Sequence, residues 1–488
     1  MSEKKMKNTL AFVSILFVCV LCALGLYMTG LIPGKPVCDP ETVCALSEPS
    51  GPSEEAPDPE TESPSEALPD ASCQKPVKVT EDVPGSLSHE GYTLEKVVVL
   101  SRHNIRSPLS TGDSLLAKVT PHEWFEWTSA SSELSLRGGA LETTMGHFFR
   151  KWLEEESLFP ENYHPEDDAV RIYANSKQRT IATAQYFLAG LLPTANLDVE
   201  YHMEFDKMDP VFTPQITYVS DSYRADAEAQ VMEMFSGTIT SLSDNYELLS
   251  DVIDLQESEA WKDGTVSAFS TEDTDYIIEI DAEPKVTGSL KTATSISDAL
   301  VLQYYEESDP IAAAFGNDLS DEQWESICEI KEVYGEVIFS APLISANTAN
   351  PLLREIAAEM DAEERVFTFL CGHDSNIVSV LSALETEEYS LPNTIEKKAP
   401  IGVKLVFSKF VNAEGESFWA VDLVYQTTNQ LRDLTLLDLQ NHPAIVPVIL
   451  KDLERNADGL YPEQALKDRF ERSIAAYDAL AEKYPQEN

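Results

Sequence analysis

The stretch Val97-Val98-Val99-Leu100-Ser101-Arg102-His103-Asn104-Ile105-Arg106-Ser107-Pro108 runs four apolar residues into a histidine set between two arginines. A short apolar run bounded by polar residues predicts a fully buried strand, and in open α/β sheets ligands bind beyond the carboxyl ends of the strands. The cationic cluster therefore falls where a site is expected. Arginine keeps its proton at any ordinary pH and offers a planar fork of donors suited to tetrahedral oxyanions. Surface ion pairs around a structural histidine would use the same residues, so this stretch alone leaves both readings open. A second stretch, Val366-Phe367-Thr368-Phe369-Leu370-Cys371-Gly372-His373-Asp374, repeats the design with an apolar run, a glycine, and a histidine beside a carboxylate. A third, from Tyr173 to Ala184, follows a short apolar run and opens a helix with Arg179 near its start, where amide donors and the helix dipole favour an anion.

Arg102, His103, Arg106 and Pro108 fill the pattern Arg-His-x-x-Arg-x-Pro, and with the late pair His373-Asp374 the chain resembles the histidine acid phosphatases. The stretches YANSKQRTIATAQYF, GGALETTMGHFFRKWL, KMDPVF, LQYYEE, CGHDSNI and VYQTTNQLRD are more similar to the bacterial periplasmic glucose-1-phosphatase branch than to the phytase branch. The likeness runs from about residue 91 to 460. It implies His103 as the nucleophile that attacks phosphorus and Asp374 as the acid that protonates the leaving oxygen. Arg102, Arg106, Arg179 and His373 are then the phosphate-binding groups, and Glu283 a substrate-selecting residue at the pocket mouth. Neither a metal nor a cofactor is implied. The expected fold is α/β: a central mixed sheet flanked by helices, a phosphoglycerate-mutase-like lobe, carrying a mainly helical insertion lobe.

The side-chain chemistry is consistent with those roles. Neutral imidazole is a competent nucleophile, and phosphoryl transfer needs chiefly positioning and cationic clamping of the phosphate oxygens. An aspartic acid titrates near 3.9 and neighbouring arginines lower it further, whereas bound phosphate raises it. The expectation is an acidic pH optimum, with Asp374 protonated in the substrate complex.

Periodicity fills in the elements. Leu141, Met145, Phe148, Phe149 and Trp152 recur at helical spacing, as do Ile181, Phe187, Leu188 and Leu191. Ile296, Leu300, Val301 and Tyr304, then Trp324, Ile327, Ile330, Tyr334 and Val337, predict two helices within the insertion. Val403, Leu405 and Phe407 alternate with Lys404 and Ser408, and Trp419, Val421, Leu423 and Tyr425 alternate around Asp422, which predicts a late hairpin. Trp124 and Trp127 stand shortly after the first motif, available either for packing or for stacking on a sugar.

At 488 residues and 43% hydrophobic, the chain can bury a large core. Its formal charge of −49 is spread along the sequence, which excludes a nucleic-acid partner and disfavours polyanionic substrates. Lys4, Lys5 and Lys7 precede an uncharged, mostly apolar run from Thr9 to Ile32, so residues 1–32 read as a membrane anchor or signal segment with the domain outside the cytoplasm. Residues 33–90 read as a disordered acidic stalk rich in Pro, Glu and Ser, and residues 91–485 as the phosphatase domain, with the insertion at about 205–360. Only Cys328 and Cys371 of the seven cysteines fall in that domain, so no disulfide framework is expected. The partner is a small phosphomonoester, a sugar phosphate such as glucose 1-phosphate. Phytate or another inositol polyphosphate is the alternative substrate. A non-catalytic phosphate-binding surface module is the alternative class, against which the paired nucleophile and proton donor weigh.

Overall fold

Alternation along the first strand sets up the architecture. In β1 (Tyr92–Arg102), Val97 and Val99 enter one hydrophobic core while Val98 and Leu100 enter another, as the two-residue period of a strand requires. A strand buried on both faces must lie inside a sheet covered by helices on each side. The computed structural model describes residues 83–110, 114–166 and 168–486, all within one compact unit, Val79–Asn488. The expected membrane segment and all but the end of the expected stalk lie outside the described residues. Among the described residues, no helix is long and apolar enough to cross a membrane.

The remaining strands are β2 (Val170–Ala174), β3 (Tyr276–Ile277), β4 (Lys285–Val286), β5 (Phe367–Gly372), β6 (Lys404–Asn412), β7 (Ser417–Tyr425), β8 (Ala444–Pro447) and β9 (Tyr461–Pro462). Seven of them form one mixed sheet in the order β2-β5-β1-β6-β7-β8, with β9 on β7, and β3 pairs with β4 apart from it. The first three in that order are parallel, and the pairs β1·β6, β6·β7 and β7·β8 are antiparallel. The expected hairpin is β6–β7; its turn is closed by Asn412, whose Oδ1 accepts from the backbone N–H groups of Glu414 and Glu416 at 3.1 and 2.8 Å.

The longer helices are α1 (Leu136–Glu155), α2 (Gln178–Leu191), α3 (Asp221–Ser241), α4 (Ser243–Val252), α5 (Ser289–Glu306), α6 (Asp321–Phe339), α7 (Asn350–Asp361), α8 (Asp374–Ala383) and α9 (Glu463–Asp478). α1 and α2 cover one face, where Phe149, Trp152 and Phe187 meet Val97, Val99 and Phe369. α7, α8 and α9 cover the other, with Ile356, Val380 and Phe470 against Val98, Leu100 and Phe407. Between Ile216 and Ile344 the chain builds a separate helical core around Tyr223, Leu249, Leu300 and Trp324, to which Ile105 and Leu141 also belong. α7 is already back on the sheet.

Lys404, Ser408 and Asp422, the polar members of the two alternating strands, are all buried rather than on the surface. Lys404, read as the polar member of an alternating strand, is fully buried, with its Nζ 2.8 Å from Glu142 Oε1. The other Glu142 oxygen accepts from Asn104 Nδ2 at 2.9 Å, so the ion pair braces the loop that follows β1 from below. Burying both charges is tolerable because each is paired and hydrogen-bonded.

Gly146 of α1 and Gly190 of α2 are explained by the contact between those two helices. A Cβ on Gly146 would lie 2.1 Å from the Phe187 carbonyl oxygen, and one on Gly190 would lie 2.0 Å from that of Thr143. Only glycine lets the two backbones approach this closely. Gly190→Ala is therefore expected to lower stability by about 1–3 kcal/mol despite alanine's better helix propensity, read as a lower denaturant midpoint. An unchanged or raised midpoint would show that the helices separate freely.

Candidate active site

Strand register assembles the site. Within the parallel pairs, Arg102 lies opposite Gly372 and Ala174 opposite Cys371, so three strands end on one line. The backbone N–H of His103 donates to the Gly372 carbonyl at 3.0 Å, and that of Asn175 to the Cys371 carbonyl at 2.9 Å. These two bonds carry the pairing past the sheet edge and set His103, Asn175 and His373 side by side. His103, Arg106, Arg179, Glu283, His373 and Asp374 line one cavity of about 310 Å³. Arg102 lies beneath it, 1% exposed, with its Nη2 3.3 Å from Asp374 Oδ2. The geometry thus brings together all seven residues singled out in the sequence.

His103 is 3% exposed, and its Nδ1 lies 2.9 Å from the Asn104 carbonyl oxygen. That acceptor places the ring proton on Nδ1 and leaves the Nε2 lone pair unprotonated. Burial, and then the charges of Arg179, His373, Arg106 and Arg102, hold the imidazole well below its ordinary value near 6.5. It stays neutral in mild acid.

The His373 ring is held from two sides. Asn175 Oδ1 accepts from the Asp209 backbone N–H at 2.9 Å, which turns Nδ2 of the same amide toward His373 Nε2 at 2.7 Å. On its other side, His373 Nδ1 lies 3.4 Å from Arg179 Nη2, which sets the guanidinium beside the imidazole.

The arginines are not equivalent. Arg102 Nη1 donates to Glu396 Oε1 at 2.9 Å and to the Ala399 carbonyl, and Arg106 Nη2 donates to Asp298 Oδ2 at 2.9 Å. Lys331 Nζ joins the two carboxylates, 2.6 Å from Glu396 Oε1 and 3.6 Å from Asp298 Oδ1. Among the described residues, Arg179 has no carboxylate ion-pair partner; burial and the nearby Arg106 push its guanidinium down to about 10. A partly buried guanidinium with no direct carboxylate partner at a helix start marks a place where an anion is favoured.

Asp374 is the first residue of α8, its side chain 47% exposed. Burial alone would raise its carboxyl, but Arg102, Lys331, His373 and Arg106 outweigh that and hold it well below the usual carboxylate range. Glu283 stands in the cavity wall, its carboxyl raised by burial and by the charge of Asp374. Trp124 and Trp127 do not line this cavity. They belong to a second cleft with Leu116 and His122, where the Trp124 indole donates to the Leu116 carbonyl at 2.8 Å and packs edge-on against Phe315. Sugar stacking in the His103 cavity is therefore not their role. Cys371 is buried and its thiol is pushed above its ordinary value by burial, which removes it as a nucleophile.

Sequence reasoning missed Asn175, Asp298, Lys331 and Glu396. Asn175 was within reach, four residues before Arg179 in the same motif. The other three come from the helical cluster and the loop before β6, where nothing in the local pattern sets them apart from surface charges.

The model of the histidine phosphatase superfamily (branch 2) matches residues 93–416. A glucose-1-phosphatase of Providencia rettgeri is 38% identical over 373 residues, 75% of this chain and 88% of the relative. One from Salmonella typhimurium is 36% identical over 392 residues, 79% of this chain and 94% of the relative. Among solved structures, the apo form of Hafnia alvei phytase superposes with a TM-score of 0.72 at 27% identity, covering 80% of this chain and 99% of that one. With its sheet, its Arg-His loop and its His-Asp pair in place, the chain belongs to branch 2 of the histidine phosphatase superfamily.

Proposed function

We propose that this protein is an acid phosphomonoesterase that hydrolyses sugar phosphates such as glucose 1-phosphate through a phosphohistidine on His103. The observation that carries the reading is the one cavity in which the His103 imidazole, its Nδ1 turned to the Asn104 carbonyl, meets Arg106, Arg179, His373 and Asp374. A phosphate seated there would be clamped by Arg106, Arg179 and His373, with Arg102 behind it.

In the first step the Nε2 lone pair forms a bond to phosphorus as the bond to the bridging oxygen breaks. Asp374 gives that oxygen its proton, and the sugar leaves as an alcohol. In the second step water attacks phosphorus, its proton passes to the Asp374 carboxylate, and the N–P bond breaks to release phosphate. Asp374 is ionised in the free site because four cationic or donor groups surround it. Bound phosphate offsets those charges, so the carboxyl takes up its proton in the complex.

Substrate size follows from charge. Glu283 in the wall and the overall charge of −49 oppose a leaving group that bears further phosphates. The identities of 38% and 36% to two glucose-1-phosphatases support the same choice over phytate. Residues 1–32 serve in this reading as the membrane anchor or signal segment and 33–90 as an acidic stalk that carries the domain, 91–485, outside the cytoplasm. The apolar run of 9–32 behind three lysines supports that placement.

His103→Ala should lower turnover of every phosphomonoester by at least about a thousandfold, measured with p-nitrophenyl phosphate and glucose 1-phosphate. Substantial residual hydrolysis would rule out the phosphohistidine. Asp374→Asn should slow hydrolysis of glucose 1-phosphate by about 100- to 10,000-fold and that of an activated aryl ester far less, because only the alkoxide needs a proton. Equal losses on the two esters would remove Asp374 from the acid role. For the wild type, kcat on glucose 1-phosphate should fall as pH rises and the donor loses its proton in the complex. Because His103 is held low, no loss of kcat/KM through its protonation is expected near pH 6.5. An acid limb centred there would show that the imidazole titrates like a free histidine.

A further inference from the structure

Two glycines sit in helix interiors with open space where a side chain would stand: a Cβ on Gly237 of α3 or on Gly335 of α6 would meet nothing within 4 Å. Glycine is among the poorest helix formers, so each position needs a reason. Gly237 is exposed and its gap opens on solvent. Gly335 lies in the wall of the cavity that holds His103 and Asp374. The explanation that serves Gly146 and Gly190, a neighbouring backbone about 2 Å from the missing Cβ, does not apply to it. What its bare backbone preserves is room.

The surroundings say what the room suits. Glu332 and Glu336 lie three residues before and one after Gly335, and all three line the cavity. Thr294 and Ser295 of α5 line it as well, and Lys291 braces the two helices by donating to the Tyr334 hydroxyl at 3.1 Å. Glu332 Oε1 accepts the Lys398 backbone N–H at 2.9 Å, and Glu336 Oε1 lies 3.1 Å from Lys398 Nζ. Of the lysines that line the cavity, Lys331 and Lys398 are ion-paired with carboxylates, so with Glu332 and Glu336 this wall presents acceptors more than free cations, which disfavours a second phosphate. Burial pushes the Glu332 carboxyl up to about 8, so in acid it both donates and accepts, as an alcohol partner requires.

We propose that the α6 wall at Gly335, between Glu332 and Glu336, is the leaving-group subsite, and that it takes a neutral polyhydroxylated group the size of one sugar ring. The inference rests on the phosphomonoesterase reading and narrows it to monophosphates of single sugars.

Gly335→Leu in the full chain tests it. Leucine is a strong helix former and the space is open, so α6 is expected to keep its fold, checked by circular dichroism. The ratio of kcat/KM for glucose 1-phosphate to that for methyl phosphate should fall at least about tenfold, since methyl phosphate has nothing to place against the wall. Gly335→Ala, which adds one carbon, should move the same ratio in the same direction by less and stands in if the leucine variant does not fold. An unchanged ratio in the folded variant overturns the subsite. A fall confined to phytate relative to methyl phosphate overturns it in favour of an inositol polyphosphate. A wild-type chain inactive on all three esters overturns the phosphomonoesterase reading itself, and the subsite with it.

Discussion

Burial of the Arg102 guanidinium is the constraint on which the site depends. At 1% exposure it has given up its water, a change that costs several kcal/mol unless carboxylates replace the lost solvation. Glu396 at 2.9 Å and Asp374 at 3.3 Å supply that replacement. Arg106 repeats the arrangement with Asp298, and Lys331 ties the two carboxylates together. Positive and negative groups alternate through a region that no single chain segment could fill. Asp298 and Lys331 belong to the helical cluster, Arg102 and Arg106 to the end of β1, so the ion network also fastens one core to the other. Among the described residues Arg179 alone of these three arginines has no ion-paired carboxylate, and in the proposed function an incoming phosphate would balance its charge.

The surrounding charges act on two protonation equilibria in the same sense. Together with burial they hold His103 neutral, and they overcome burial to hold Asp374 ionised. The cage itself withstands the acidity the chemistry needs. Although burial alone would raise Glu396, Lys331 and Arg102 hold it down to about 2, below its ordinary value near 4.5. A carboxyl lowered on folding contributes stability that is complete above its unfolded value and is lost only as pH falls through the folded one. The window between those two values is where the network weakens, so a site working in mild acid retains its framework.

Much of this was legible in the sequence because it depends on local pattern. The run Val97–Leu100 predicts a buried strand, and Arg102, His103 and Arg106 must follow it into the loop at its carboxyl end. The periodicities of α1, α2, α5 and α6 and the β6–β7 hairpin are likewise written in short windows. What could not be read arises from pairing between distant segments. Lys404 has the alternation of a surface residue and is buried because Glu142, from a helix far earlier in the chain, meets it there. Glu396 and Lys331 look like members of an ordinary charged surface in a strongly acidic protein, and become site residues only when α6 and the loop before β6 close over Arg102. Trp124 and Trp127, left open between packing and stacking, show the converse, since nearness in sequence to the Arg-His motif did not carry them into its cavity.

This division between local and distant information matches a division of labour in the molecule. The groups proposed to face the phosphate come from strand ends and a helix start, whose positions are set by main-chain hydrogen bonds of the sheet and cannot shift without breaking its register. Those proposed to face the remainder of the substrate come from α5 and α6, which pack through side chains and join the sheet lobe in part through ion pairs. Side-chain packing tolerates substitution far better than strand register does. In the proposed function the phosphate seat is therefore the rigid part of the design, and the helical wall, where a glycine leaves space and glutamates set the polarity, is where a change of leaving group would be accommodated without disturbing His103.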